Sequence, residues 1–320
     1  MLLINSMMKK LSLLGLLCLL ISCDDGDFNI PSFDFDGLTI NNCGNLVLYK
    51  ITSGSTESLI IQIDEDNTED IFFKTAISNK EYLITTSGQN TMSYRIFIGD
   101  VTSDYFCQDI PSATPTVSEE WIGEGTLFIT NTISYDDKDG VPKEIEDNLD
   151  ILIFGDVPDD FDIKDIDGDG YPNFVDDDDD GDGKPTSEED WDITKLPPER
   201  TGDPTTVDTD GDGIPNYLDT DDDGDGEPSI TESIGYNGPN GTDPNSNSIV
   251  DYLDKDTVLP IEAGNPITNI YTQSYSMFFE FSTLNLTSDT STTSYPEGYT
   301  YGTKNGSFES SELPNIPEVE

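Results

Sequence analysis

Asp165-Ile166-Asp167-Gly168-Asp169-Gly170-Tyr171-Pro172-Asn173-Phe174-Val175-Asp176 decides the reading of this chain, because the same twelve-residue unit returns as Asp208-Thr209-Asp210-Gly211-Asp212-Gly213-Ile214-Pro215-Asn216-Tyr217-Leu218-Asp219. Each copy is followed, one residue later, by a second unit, Asp178 through Glu189 and Asp221 through Glu232. Positions 1, 3 and 5 are Asp165, Asp167 and Asp169; Asp178, Asp180 and Asp182; Asp208, Asp210 and Asp212; Asp221, Asp223 and Asp225. Carboxylates so spaced on a tightly turned loop converge on one point. Position 6 is Gly170, Gly183, Gly213 or Gly226, where the chain must turn sharply. Position 7 offers a backbone carbonyl, from Tyr171, Lys184, Ile214 or Glu227, and position 9 is Asn173, Thr186, Asn216 or Ser229, acting directly or through water. Asp176, Glu189, Asp219 and Glu232 at position 12 close the shell. The set suits calcium, which takes about six to eight oxygens, better than magnesium, which wants a strict octahedron and retained waters. Transition metals favour nitrogen or sulfur, which the segment lacks.

A fifth, degraded unit keeps the spacing with Asp243, Asn245, Asn247, Asp251 and Asp254, but Ser248 replaces the glycine. A sixth, Asp137-Lys138-Asp139-Gly140-Val141-Pro142, keeps only the centre, and Tyr135 at position 1 and Lys143 at position 9 argue against a full site. Pro172, Pro185, Pro215 and Pro228 and the lack of an amphipathic period exclude flanking helices of the helix-loop-helix kind. From about residue 165 to 256 the units instead resemble thrombospondin type 3 repeats. The resemblance implies loops wrapped around calcium ions that take the place of a hydrophobic core. The cysteines of the animal repeats are absent here, so metal and a few side chains must hold the array. Phe174-Val175, Tyr217-Leu218 and Tyr252-Leu253 recur at one loop position and are the expected packing seams. A solvated, disordered acidic linker is the alternative, but fixed offsets of Gly, Pro and Asn argue against it.

The charge balance agrees. The chain has 320 residues with 66 acidic and 14 basic side chains, a net charge of −52, and no histidine. Such a chain does not bind nucleic acid by electrostatics. The lack of histidine removes the usual general base, the Ser-His and Cys-His nucleophile systems and most zinc sites.

At the amino terminus, Lys9 and Lys10 precede an apolar run from Leu11 to Ile21, too short to span a bilayer as a helix. It ends in Leu20-Ile21-Ser22-Cys23, which resembles the bacterial lipobox; the resemblance implies that Cys23 is acylated after residues 1–22 are removed. Asp24, Asp25 and Asp27 resemble the surface-export signal of Bacteroidetes lipoproteins, with the periplasmic face of a membrane as the alternative destination. Cys43 and Cys107 remain as one even pair in an oxidising compartment and are expected to form a disulfide, two free thiols being the alternative.

The remaining text is strand-like. Leu46-Val47-Leu48-Tyr49, Leu59-Ile60-Ile61, Ile71-Phe72-Phe73, Tyr82-Leu83-Ile84, Tyr94 to Ile98 and Thr126 to Thr130 are short β-branched or aromatic runs between polar turns. After the acidic segment, Met277 to Phe281 and Leu284-Asn285-Leu286 read as one long strand, followed by a Ser/Thr-rich turn and Tyr299-Thr300-Tyr301. A lone hairpin there has no partner for its apolar face. The expected fold is therefore mainly β: an antiparallel sandwich or barrel-like domain carrying an inserted, irregular calcium-binding segment, with the strand near Phe128 beside that near Phe279. A separate C-terminal β-module is the competing arrangement. The divisions are 1–22 signal, 23–40 tether, 41–134 first part of the β-domain, 135–257 repeats and 258–320 C-terminal strands.

The expected function is non-enzymatic: a lipid-anchored extracytoplasmic protein with structural calcium and a role in adhesion, binding or display. Its partners are calcium ions and, through the lipid alone, a membrane; a protein or glycan ligand stays unnamed. A surface enzyme, carboxylate-based or of the peptidyl-prolyl isomerase kind, is the first alternative. A carbohydrate-binding sandwich using Trp121, Tyr295, Tyr299 and Tyr301 is the second.

Overall fold

Met277, Phe279 and Phe281 are buried while Phe278 and Glu280 between them are exposed, the period of two that turns one face of a strand to a core. The buried set then changes phase to Leu284 and Leu286. A bulge makes the change: Thr126 on the neighbouring strand faces Thr283 but Leu127 faces Phe281, leaving Ser282 as the extra residue. Gly125 lies against this bulge, and a Cβ there would stand 2.0 Å from the Thr283 carbonyl oxygen, so only glycine permits the approach.

The computed structural model describes residues 34–44, 46–64, 69–108, 112–154, 162–190, 203–232, 249–256 and 267–314. The signal, Cys23, most of the tether, and Asp243, Asn245 and Asn247 lie outside them. The strands are β1 (Asn41–Cys43), β2 (Val47–Ile51), β3 (Glu57–Gln62), β4 (Ile77–Ile84), β5 (Thr91–Ile98), β6 (Thr116–Asp136), β7 (Tyr271–Thr287), β8 (Thr292–Tyr295) and β9 (Tyr299–Ser310). They form one nine-stranded antiparallel sheet. Its spine is the long β6–β7 pair, in register from Ile122 opposite Thr287 to Asp136 opposite Thr272. The other edge of β6 is shared, with β5 on its first half and β4 on its second. The other edge of β7 is shared by β8 and β9. The sheet bends over itself. The Tyr301 hydroxyl on β9 lies 3.2 Å from both the Leu48 and Leu59 carbonyl oxygens, and Lys304 donates to the Ile40 carbonyl at 3.4 Å. Leu48, Leu59, Ile61, Tyr94, Trp121, Leu127, Phe279, Phe281 and Tyr301 fill the space between.

Asp136 and Thr272 are ladder partners, so the acidic segment leaves the sheet and re-enters it at one place. The strand expected near Phe128 does pair with the one near Phe279, since Ile129 faces Phe279. Two local expectations are corrected. Ile71-Phe72-Phe73 is not a strand but part of a short helix, Glu69–Lys74. Phe72 and Phe73 are consecutive and both buried, which an alternating strand facing one core cannot achieve. The Asn131 amide donates to the Phe73 and Thr75 carbonyls at 3.0 and 2.8 Å, and Gln273 donates to the Lys74 carbonyl at 2.6 Å, satisfying the helix end. Within the expected Ser/Thr-rich turn, Thr292–Tyr295 pairs with Leu284–Thr287 as β8. Cys43 and Cys107 form a disulfide with Cα atoms 5.2 Å apart, which ties the short edge strand β1 to the loop after β5.

Among its described residues the acidic segment contains single 3-10 turns and one-turn helices rather than strands. It rests on the end of the sheet where β6 leaves and β7 enters. Phe174 and Val175 pack on Tyr271 with Tyr135 beside them, and the Ile270 backbone N–H donates to Asp177 Oδ2 at 2.7 Å. From the C-terminal side, the Ser311 carbonyl accepts from the Tyr171 hydroxyl at 2.9 Å.

Candidate metal centres

Each repeat loop is closed by the same short-range bonds. The N–H of position 5 donates to Oδ1 of position 3, and the N–H of position 7 to Oδ1 of position 5. In the loop at Asp165 these are Asp169 to Asp167 at 2.9 Å and Tyr171 to Asp169 at 2.8 Å. The loops at Asp178, Asp208 and Asp221 repeat the pattern within 2.7–3.1 Å. The N–H of the position 6 glycine donates to Oδ2 of position 1 in Gly183, Gly213 and Gly226. Asp208 spends both oxygens on the backbone, since its Oδ1 also accepts from the Gly211 N–H at 2.8 Å, while the aspartates at positions 3 and 5, and Asp178 and Asp221 at position 1, spend one each. The other is left: Asp180 Oδ2, Asp182 Oδ2, Asp223 Oδ2, Asp225 Oδ2, Asp178 Oδ1 and Asp221 Oδ1 are buried with no hydrogen-bond donor.

These oxygens gather. Carboxylate oxygens of Asp165, Asp167 and Asp169 lie within 4.8 Å of one another, as do those of Asp208, Asp210 and Asp212 and of Asp221, Asp223 and Asp225. In these three loops position 12 lies outside the 4.8 Å group but within the field of its own loop. Asp167 and Asp169 help raise Asp176 to about 8, Asp210 and Asp212 help raise Asp219 to about 7, and Asp223 and Asp225 help raise Glu232 to about 9, burial being the first cause in each. The surviving fifth-unit residues Asp251 and Asp254 lie against the fourth loop, adding to the field at Glu232 and Asp223 respectively.

The loop at Asp178 differs. Its tightest group is Asp180, Asp182 and Glu189 with Asp222, a residue of the next repeat pair, and all four are buried. Neither oxygen of Glu189 or Asp222 meets a donor. Burial, and then the neighbouring carboxylates, hold Asp180 and Glu189 well above the usual carboxylate range; Asp222 is raised by burial and Asp182. Lys184 opposes this only in part. Its side chain lies near the group, yet its ammonium also donates to the Tyr252 hydroxyl at 2.5 Å. Asp222 was not among the expected ligands. Its signal in the sequence is the doubled aspartate at positions 1 and 2, Asp178-Asp179 and Asp221-Asp222, where the other units carry Ile166 and Thr209.

Position 9 has a role other than the expected one. Asn173 Oδ1 accepts from the Ile166 N–H, Thr186 Oγ1 from Asp179, Asn216 Oδ1 from Thr209 and Ser229 Oγ from Asp222, at 2.9–3.2 Å. The backbone N–H groups of the same four residues donate to the carbonyls just before the loops. Asn173 and Asn216 therefore act as clasps that shut the loop.

Paired units lie back to back. A Cβ on Gly181 would meet Asp167 Oδ2 at 2.7 Å, and one on Gly224 would meet Asp210 Oδ2 at 2.4 Å, both at positive φ. Phe174-Val175, Tyr217-Leu218 and Tyr252-Leu253 fall in three separate small clusters, the first against the sheet. The proposed sugar-stacking residues Trp121 and Tyr301 are buried in the core, so they present no face to a ligand. Three clefts on the β-domain, around Arg95, Lys304 and Tyr82, have no aspartate or glutamate in their walls.

No family model, no curated protein and no solved structure matches this chain.

Proposed function

We propose that this is a lipid-anchored extracytoplasmic protein in which calcium is structural, holding tandem loops into a rigid insert that a β-domain carries for binding, adhesion or display. The observation that supports it most is the buried set Asp180, Asp182, Glu189 and Asp222, whose oxygens converge within 4.8 Å. At an effective dielectric of about 20, two unit charges at that distance repel by about 3.5 kcal/mol. Six such pairs would cost about 20 kcal/mol, more than the about 5–15 kcal/mol that stabilises a domain. One lysine offsets only a share of it. The set must bind a cation or take up protons, and oxygens freed by the same Asx pattern in every loop favour the cation. Hard oxygen donors without nitrogen or sulfur select calcium over zinc or copper. The anchor rests on Leu20-Ile21-Ser22-Cys23, and the Cys43–Cys107 disulfide agrees with export.

Small-angle scattering of the full chain tests the reading. Chelation is expected to expand the molecule, and millimolar calcium to restore it. Equal dimensions in both conditions would refute structural calcium.

A further inference from the structure

Asp137-x-Asp139-Gly140-x-Pro142-x-x-x-Glu146 has the same skeleton as Asp180-x-Asp182-Gly183-x-Pro185-x-x-x-Glu189 and Asp223-x-Asp225-Gly226-x-Pro228-x-x-x-Glu232. It lacks the first aspartate of those units, because Tyr135 stands there and packs against Phe174 and Tyr271, and it carries Lys143 where they have Thr186 and Ser229. The structure nonetheless folds it as they fold. The Asp139 N–H donates to Asp137 Oδ1 at 3.1 Å and the Val141 N–H to Asp139 Oδ1 at 2.7 Å. Oxygens of Asp137, Asp139 and Glu146 converge within 4.8 Å, and Asp137 Oδ2, Asp139 Oδ2 and Glu146 Oε1 meet no donor.

An acidic cluster alone would mean little. The independent observation is Asp179, which belongs to a different unit and is 1% exposed. Among the described residues, neither of its carboxylate oxygens meets a hydrogen-bond donor. The charges that act on it most strongly are those of Glu146, Asp139 and Asp137, so it lies beside the cluster, though not within its 4.8 Å group. Its backbone is fixed there by the N–H bond to Thr186 Oγ1 at 3.2 Å. Asp222, held in the same way by Ser229, reaches within 4.8 Å of Asp180, Asp182 and Glu189. The neighbouring Lys143 pairs with Asp147 at 2.9 Å and offsets the burial and crowding of Glu146 only in part. Val141 and the buried Tyr217 pack together beside the cluster.

We propose that Asp137, Asp139, Glu146 and Asp179 form a further divalent-cation site, of the calcium class, at the junction of the β-sheet and the repeat array. It rests on the calcium reading of the repeats. Asp179 supplies from a distant unit the carboxylate that the junction unit lacks at its own first position. The ion ties the segment that leaves β6 at Asp136 to the loop that begins at Asp178, so the array is fastened to the sheet at its exit. The same device, a second-position aspartate reaching into another unit, recurs at Asp222 and links the two repeat pairs.

Native mass spectrometry of the full chain in saturating calcium counts the bound ions. Glu146→Gln and Asp179→Asn, taken separately, are each expected to lower the count by one. Glu144→Gln, an exposed neighbour outside the cluster, is expected to leave it unchanged. The two test residues lie in different units, so if one variant fails to fold by circular dichroism, the other is read alone. An unchanged count in the folded variants overturns the junction site while leaving the repeat loops standing. A wild-type chain that binds no calcium removes both.

Discussion

Asp222→Asn is expected to change sign of effect with calcium, and this separates a ligand from a merely buried acid. In chelator, burial and the charge of Asp182 push the Asp222 carboxyl well above the usual carboxylate range and so favour its neutral form. Asparagine is nearly the same size and neutral, and it relieves any residual repulsion of about 3.5 kcal/mol per ionised neighbour at this spacing. The variant should therefore be as stable as the wild type or more so. In millimolar calcium the substitution removes a charged ligand from the set with Asp180, Asp182 and Glu189. A loss of ten- to a hundred-fold in affinity corresponds to about 1.4–2.7 kcal/mol. Hydrogen exchange followed by mass spectrometry, read on peptides within 178–232, reports local opening free energy in both conditions. Equal destabilisation with and without calcium would show that Asp222 is a packing residue and would refute the reasoning.

Without calcium, raised carboxyl pKa values (Asp176 and Asp178 to about 8, Glu232 to about 9) mean that the folded array binds more protons than the unfolded chain, whose carboxyls titrate near 4. Stability then falls as pH rises from about 4 to 9, and calcium, which binds the deprotonated form, should abolish or reverse that slope; urea titrations in excess chelator and in calcium check it. Gly224→Ala drives a methyl onto Asp210, while Gly168→Ala carries similar positive-φ strain into open space. The first should weaken one calcium site by about ten-fold, about 1.4 kcal/mol, beyond the second, as read by calorimetric titration. Phe279→Ala empties a fully buried position on β7 and should cost about 3–5 kcal/mol of β-domain stability by urea unfolding, with the number of bound calcium ions unchanged.

The repeat loops were legible because their chemistry is local. Each bond from position 5 to 3, and from 7 to 5, spans two residues, so spacing alone implies it. The sheet was legible where alternation is clean, as in Met277 to Phe281. What escaped is non-local. Asp179 and Asp222 look like spare charges beside their own loops, and only the stacking of units brings them near carboxylates of others. Glu146 stands eleven residues from Tyr135, the residue that argues against a full site there. The helix at Glu69–Lys74 was misread because Ile71-Phe72-Phe73 has a strand's composition, and the deciding contacts come from Asn131 and Gln273, far along the chain. Position 9 was assigned to the metal because loop templates put an oxygen there. Here that oxygen accepts the N–H of position 2, a bond that spacing does not reveal.

A crystal structure grown in calcium, with data collected where calcium scatters anomalously, tests the central claim most directly. Peaks are predicted within the groups at Asp165, Asp208 and Asp221 and between Asp180, Asp182, Glu189 and Asp222, with Asp and Glu oxygens at about 2.3–2.6 Å. Absence of a peak in that last group, with its four carboxyls hydrogen-bonded to one another through protons, would contradict the account.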